Sequence, residues 1–246
     1  MATLRVCSLY PDLMNIYADR GNIAVLRARC EWRGLGFEQL ASGLEEPLDP
    51  EGADLFYMGG GQDRDQVAVA EDMVATKREA LHAAQERGAV ILAVCGGYQL
   101  LGSSYQLGDR ELPGVELVDL RTVREPGPRL IGNCAIESDL GGGPRIIAGF
   151  ENHGGRTHLG SGEAPFGRVI EGFGNNGEDD FEGVLRGNTI GTYLHGPLLP
   201  KNAWLADELI ARALEHRYGE RPDLAPLDDR LELAAHELAR GAASGR

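Results

Sequence analysis

A cysteine and a histidine, each closing an apolar run and each followed by glycine, are the residues of this 246-residue chain whose setting points to covalent chemistry. Cys95 ends Gly88-Ala-Val-Ile-Leu-Ala-Val and precedes Gly96-Gly97; His195 ends Ile190-Gly-Thr-Tyr-Leu194 and precedes Gly196. A thiol at a strand-to-helix corner meets the unsatisfied N–H groups and positive dipole end of the following helix, which favour thiolate over thiol. The same N–H groups can hold a developing oxyanion. A histidine far away in sequence can be a neighbour in space, and together they make a thiolate–imidazole pair. On the residues alone, Cys95 is either that nucleophile or a buried structural thiol, and His195 either its base or a packed imidazole.

Five other histidines compete for the role of base. His82, His216 and His236 fall in helical stretches, and His158 lies in the β-rich half; His153 sits in the polar loop Glu151-Asn-His-Gly-Gly-Arg156 and can line a site. A second glycine-rich corner, Gly59-Gly-Gly61, follows the strand-like Ala53-Asp-Leu-Phe-Tyr-Met58 and precedes Gln62-Asp-Arg-Asp-Gln66, which opens a helix. Such a corner either lets backbone N–H groups approach a ligand or is simply a flexible turn. Cys7, Cys30, Cys95 and Cys134 show no metal-ligand spacing, so no metal site is expected. There is no Gly-x-x-x-x-Gly-Lys-Ser/Thr loop for nucleotide phosphates.

The elements that must position these residues read as strands alternating with helices through residue 102. Thr3 to Tyr10 is a strand stopped by Pro11; Asn22 is placed to cap a helix that Gly34 ends; Phe37 to Leu40 and residues 53–58 are strands; residues 63–87 are helical; residues 89–94 are small, branched and uncharged on both faces, as in a buried parallel strand. This is the pattern of a doubly wound, flavodoxin-like α/β fold with a mostly parallel sheet and helices on both faces, whose ligands bind beyond the carboxyl ends of the strands. Gly59 to Gly61 and Cys95 both lie there. Beyond Gly102 the chain becomes β-rich, with strand-like pieces at Val115 to Val123, Leu130 to Ile136, Arg145 to Glu151, Arg168 to Ile170 and Gly183 to Leu185. Amphipathic helices follow at Pro200 to Tyr218 and Leu227 to Arg240, with a frayed end at Gly241 to Arg246. One domain over residues 1–246 is expected.

A formal charge of −14 disfavours binding to nucleic acid or anionic lipid, both of which need clustered cations. No signal-peptide region or membrane-length apolar run is present, and the unpaired cysteines suit a reducing cytoplasm.

Val94-Cys-Gly-Gly-Tyr-Gln-Leu-Leu-Gly102 resembles the nucleophile motif of class I, or triad-type, glutamine amidotransferases, and Gly191-Thr-Tyr-Leu-His-Gly196 resembles the histidine motif of their cobyric-acid-synthase-like branch. Leu9–Asn22, Met58–Gln66, Phe150–Thr157 and Tyr193–Asn202 are similar to motifs of the amidotransferase subunits in this branch that serve lipid II. The resemblance covers nearly all of residues 3 to 240. It implies a glutaminase in which Cys95 attacks the side-chain amide of L-glutamine and His195 passes a proton to departing ammonia. It also implies an oxyanion hole from Gly96 and the Gly60 and Gly61 turn, and a substrate-binding arginine at Arg129. The ammonia goes to a Mur-ligase-like partner of MurT type in a heterodimer; this partner holds ATP and Mg²⁺ and amidates D-glutamate of lipid II to D-isoglutamine. This chain itself carries no cofactor.

One position departs from the family pattern. The acid that usually follows the histidine by two residues is Pro197 here. Either another acid of this chain takes the role, or a partner residue does, or a Cys–His dyad suffices; lacking that carboxylate, the isolated chain is expected to be a weak glutaminase that its partner activates. Rival readings are an amidotransferase subunit for a corrinoid or another carboxylate, a catalytically silent binding module, and a peptidase or chaperone on the same sheet.

Overall fold

The computed structural model describes residues 1–16 and 19–243. Its centre is a six-stranded sheet made from β1 (Thr3–Leu9), β2 (Gly36–Ser42), β3 (Leu55–Met58), β4 (Val90–Val94) and, from the far end of the chain, β13 (Val184–Arg186) and β14 (Thr189–Thr192). The strand order is β13-β14-β4-β3-β1-β2, parallel except for the β13–β14 hairpin. All five residues of β4 are buried, as expected for a strand with helices on both faces.

Helices α1 (Arg20–Trp32), α2 (Asp63–Asp72), α3 (Arg78–Glu86) and the short α4 (Gly96–Leu100) connect the first strands; a π-helical turn, Met73–Lys77, joins α2 to α3. The expected Asn22 cap is not formed. Helix α1 begins earlier, with Asp19 at its N-cap, and the buried Asn22 uses its amide elsewhere: Oδ1 accepts Leu199 N–H at 2.8 Å and Nδ2 donates to Tyr57 Oη at 3.0 Å. Tertiary partners thus outbid a local cap.

The β-rich half forms two four-stranded sheets. One, in the order β10-β7-β5-β6, contains β5 (Ser104–Leu107), β6 (Arg110–Pro113), β7 (Leu120–Val123) and β10 (Arg156–Leu159); the other, β12-β11-β8-β9, contains β8 (Leu130–Ser138), β9 (Arg145–His153), β11 (Gly167–Glu171) and β12 (Phe181–Glu182). The expected strand over Val115 to Val123 is shorter than its apolar run, because the N–H groups of Gly114 to Leu117 bond back to carbonyls of Leu100 to Ser103 instead of to a strand. They satisfy the end of α4.

Helices α5 (Leu198–Lys201), α6 (Ala203–Tyr218) and α7 (Arg230–Ala243) complete the chain. Gly241 to Ala243 continue α7 rather than fraying; the expected fraying of residues 244–246 lies outside the described residues. Arg29 of α1, 1% exposed, is clamped by Asp207 (2.6 and 2.7 Å) and Asp229 (2.8 and 2.9 Å). A buried guanidinium demands such pairing, and this one locks α1 to α6 and to the segment before α7.

Candidate active site

Cys95 and His195 leave the carboxyl ends of neighbouring parallel strands. Strand β14 pairs with β4 through Thr192↔Val94, and Cys95 N–H donates to Thr192 C=O at 2.8 Å. The Cys95 backbone then turns through φ 53, ψ −109 into α4. That conformation is costly for a side-chain-bearing residue and lifts the thiol out of the sheet plane. Three residues past β14, His195 is fixed by its backbone, which exchanges hydrogen bonds with Phe150 at 2.7 and 3.2 Å. Its buried imidazole lies close enough to the Cys95 sulfur for the two to interact electrostatically.

Gly60 lies against both. A methyl on Gly60 would stand 3.1 Å from His195 Cε1 and 3.3 Å from Cys95 Cβ, so a side chain here would fill the space in front of the pair. Gly60 N–H is already donated to Asp19 Oδ2 at 2.8 Å. Of the three glycines expected to supply oxyanion donors, Gly61 and Gly96 are therefore the two whose N–H groups have no hydrogen bond among the described residues. The two backbones are neighbours: a methyl on Gly96 would lie 3.3 Å from Gly61 N.

Sequence reasoning did not single out Asp19. Its Oδ1 lies 3.7 Å from His195 Nδ1, and both side chains are fully buried. Burial alone would pull the His195 pKa down; the Cys95 sulfur and the Asp19 carboxylate outweigh it and raise the value to about 10. The geometry therefore suits a thiolate–imidazolium pair with a carboxylate on the far ring nitrogen. Pro197, at the position of the usual acid, packs on the start of α1: a methyl on Gly21 would come 2.6 Å from Pro197 Cγ. The signal that could have found Asp19 was its place beside Gly21 and Asn22, after the first parallel strand and thus at the ligand-binding edge of the sheet.

Arg129 is exposed, with Nε and Nη2 donating to Asn152 Oδ1 (2.9 Å) and Asn152 C=O (2.8 Å). Its Nη1 borders Gly154, and the adjoining Gly155 packs on Gln99 and Tyr193; Gln99 N–H in turn donates to Cys95 C=O at 3.0 Å. Arg129 is thus at the rim next to the nucleophile helix, with a guanidinium edge available to a carboxylate.

His153 is not at the thiol. It is buried and stacked on Tyr193 (centroids 3.5 Å apart, 4° between planes), with Nδ1 2.9 Å from Gly155 C=O and Nε2 3.6 Å from Glu151. His82 faces Val115 C=O, His158 faces Glu125 and His236 faces Lys201 C=O. Behind the site, the fully buried Glu182 accepts Tyr193 N–H at 2.6 Å and Thr192 Oγ1–H at 3.0 Å, holding the peptide that leads to His195. No cluster of three or more metal-ligating side chains occurs among the described residues.

The chain belongs to the CobB/CobQ-like glutamine amidotransferase domain family, whose model matches residues 5–203. It is 38% identical over 239 residues to the lipid II isoglutaminyl synthase (glutamine-hydrolyzing) subunit GatD of Staphylococcus aureus, covering 97% of this chain and 95% of the relative. It is 37% identical to the GatD subunit of Streptococcus pneumoniae, covering 92% of this chain and 86% of that one. Among solved structures its fold is similar to a chain of PurLQS from Thermotoga maritima (TM-score 0.57, 20% identity, 88% of this chain and 99% of the other). It is accordingly a glutamine-hydrolysing enzyme.

Proposed function

We propose that this chain is the glutaminase subunit of a two-subunit ligase that amidates lipid II. The observation that carries the chemistry is the convergence of Cys95, His195 and Asp19 at the strand ends, with two unspent N–H donors beside the thiol. Cys95 Sγ attacks the amide carbon of L-glutamine, and the oxyanion is taken by Gly61 and Gly96 N–H while Gly60 holds Asp19 in place. The His195 imidazolium protonates the amide nitrogen, the C–N bond breaks and ammonia leaves. Water, deprotonated by the now neutral His195, cleaves the thioester; the sulfur leaves as thiolate beside the re-formed imidazolium, and glutamate departs with its proton released to solvent. Arg129 pairs with the substrate α-carboxylate.

The relatives named as subunits of lipid II isoglutaminyl synthase support lipid II as the ammonia acceptor. The partner is a Mur-ligase-like subunit of MurT type in a heterodimer; it binds ATP and Mg²⁺, activates the carboxylate of D-glutamate in lipid II, and yields D-isoglutamine during peptidoglycan synthesis. Among the described residues no helix is long and apolar enough to cross a membrane, and we place the subunit in the cytoplasm, reaching lipid II through its partner.

Glutamate release by wild type, Cys95→Ala and His195→Ala, each with and without the ATPase partner, tests this. Wild type with partner releases glutamate and, given ATP, amidates lipid II, while both variants fall to background. An undiminished rate in Cys95→Ala rejects the assignment, and amidation of a corrinoid carboxylate in place of lipid II redirects it to the other acceptor.

A further inference from the structure

Two backbone donors of the Gly59–Gly61 turn, Gly59 N–H and Gly61 N–H, have no partner among the described residues, and beside Gly61 lies a side-chain acceptor left over. Gly59 C=O accepts Gly97 N–H at 3.2 Å, Gly60 N–H goes to Asp19 Oδ2 at 2.8 Å, Gly60 C=O accepts Ile16 N–H at 3.1 Å, and Gly61 C=O accepts Gln66 Nε2–H at 2.9 Å. Each peptide of the turn is pinned by one of these bonds, and Gly61 N–H remains without a partner among the described residues.

Gln66, on α2, is 3% exposed, and its amide is wedged against the nucleophile corner: a methyl on Gly96 would lie 2.5 Å from Nε2 and 3.0 Å from Cδ. The Gly61 carbonyl can only accept, so the Gln66 amide must turn its nitrogen toward it. Oε1 is thereby left buried with no hydrogen-bond partner among the described residues. A buried acceptor without a donor is costly unless a ligand satisfies it.

A primary amide has two faces to be read, a carbonyl acceptor and two N–H donors. Gly61 and Gly96 N–H suit the first. We propose that Gln66 Oε1 accepts an N–H of the substrate's side-chain amide, and of the ammonia it becomes, so that Gln66 selects amide over carboxylate. This rests on the glutaminase reading above. A glutamate carboxylate presents only oxygen to Oε1, so Gln66 also disfavours retention of the product.

The test compares L-glutamine with L-glutamate γ-methyl ester, which has the same carbonyl but no N–H on its leaving group. In Gln66→Met, kcat/KM for the amide falls about 30-fold, the size of a lost hydrogen bond to a reacting group, while the ester stays within about threefold of wild type. Gln66→Glu keeps an acceptor oxygen, so its amide-to-ester ratio stays nearer the wild-type value even where both rates drop. Alkylation of Cys95 by iodoacetamide, which needs no oxyanion hole, proceeds at the wild-type rate in each folded variant. A parallel fall for amide and ester means Gln66 only braces the turn, and no fall in either means it does not meet the substrate; both results overturn the proposal. A wild type inactive on both substrates overturns the glutaminase reading, and this one with it.

Discussion

Asp19 touches His195 with one carboxylate oxygen and the glycine turn with the other: Oδ1 is 3.7 Å from His195 Nδ1, and Oδ2 receives Gly60 N–H at 2.8 Å. One side chain therefore orients both the base and the turn beside the nucleophile. An amide in its place keeps an acceptor for Gly60 but removes the charge that stabilises imidazolium. Asp19→Asn is expected to lower glutaminase kcat about 100-fold with KM within about threefold, a smaller loss than the roughly 10⁴ of a tightly bonded triad because the contact is longer. Steady-state kinetics with partner present decides this, and an unchanged kcat would show that the charge is supplied elsewhere.

The charge of Cys95 is the foremost influence raising His195, ahead of Asp19 and against burial. Cys95→Ala should therefore bring the His195 midpoint down from about 10 by more than about one unit, read by NMR titration. The linked stability has a definite sign. Raised from 6.5 to about 10, His195 contributes stability that is complete below pH 6.5 and is lost as pH rises through about 10. In His195→Gln that alkaline decline is shallower in urea unfolding.

The left-handed backbone at Cys95, φ 53, is a strain that only glycine relieves. Cys95→Gly and Cys95→Ala are both inactive, yet the glycine variant is the more stable of the two by about 1–2 kcal/mol. Equal midpoints in thermal or urea unfolding would mean that the corner relaxes once the thiol is gone.

Glu182 behaves in the opposite way from a surface carboxylate. Burial raises its pKa from 4.5 to about 8, against the lowering by Tyr193 N–H, Thr192 Oγ1 and His195. The folded chain thus holds a proton that the unfolded chain releases, and stability from this group falls as pH rises from 4.5 through about 8. Glu182→Gln cannot titrate, so its urea midpoint changes less than that of wild type between pH 5 and pH 8. A wild-type slope retained in the variant would assign the dependence to another group.

The parallel sheet was legible because β4 is apolar on both faces, and the Cys95 corner because two glycines follow it. Asp19 was not, since an acid before a helix reads as an ordinary cap; its place after the first parallel strand puts it at the ligand-binding edge, and the distance to His195, beyond the end of β14, gives it a role. Strands β5 and β6 carry Ser104, Gln106, Arg110 and Glu111 and lack a continuous apolar signal; antiparallel pairing with each other defines them. Asn22 shows the same limit: its partner Leu199 is 177 residues away.

Pro197 pressed against Gly21 has an evolutionary consequence. Moving the acid from the α1 entrance to the position after the histidine, or back, means passing through a chain with two buried carboxylates beside one imidazole, or with none. A carboxylate at 197 must also fit where Pro197 Cγ now meets Gly21. The two arrangements are therefore separated by a barrier that single substitutions cross poorly: Pro197→Asp does not rescue Asp19→Asn unless the start of α1 changes with it, so residues 19, 21 and 197 are bound to vary as a set.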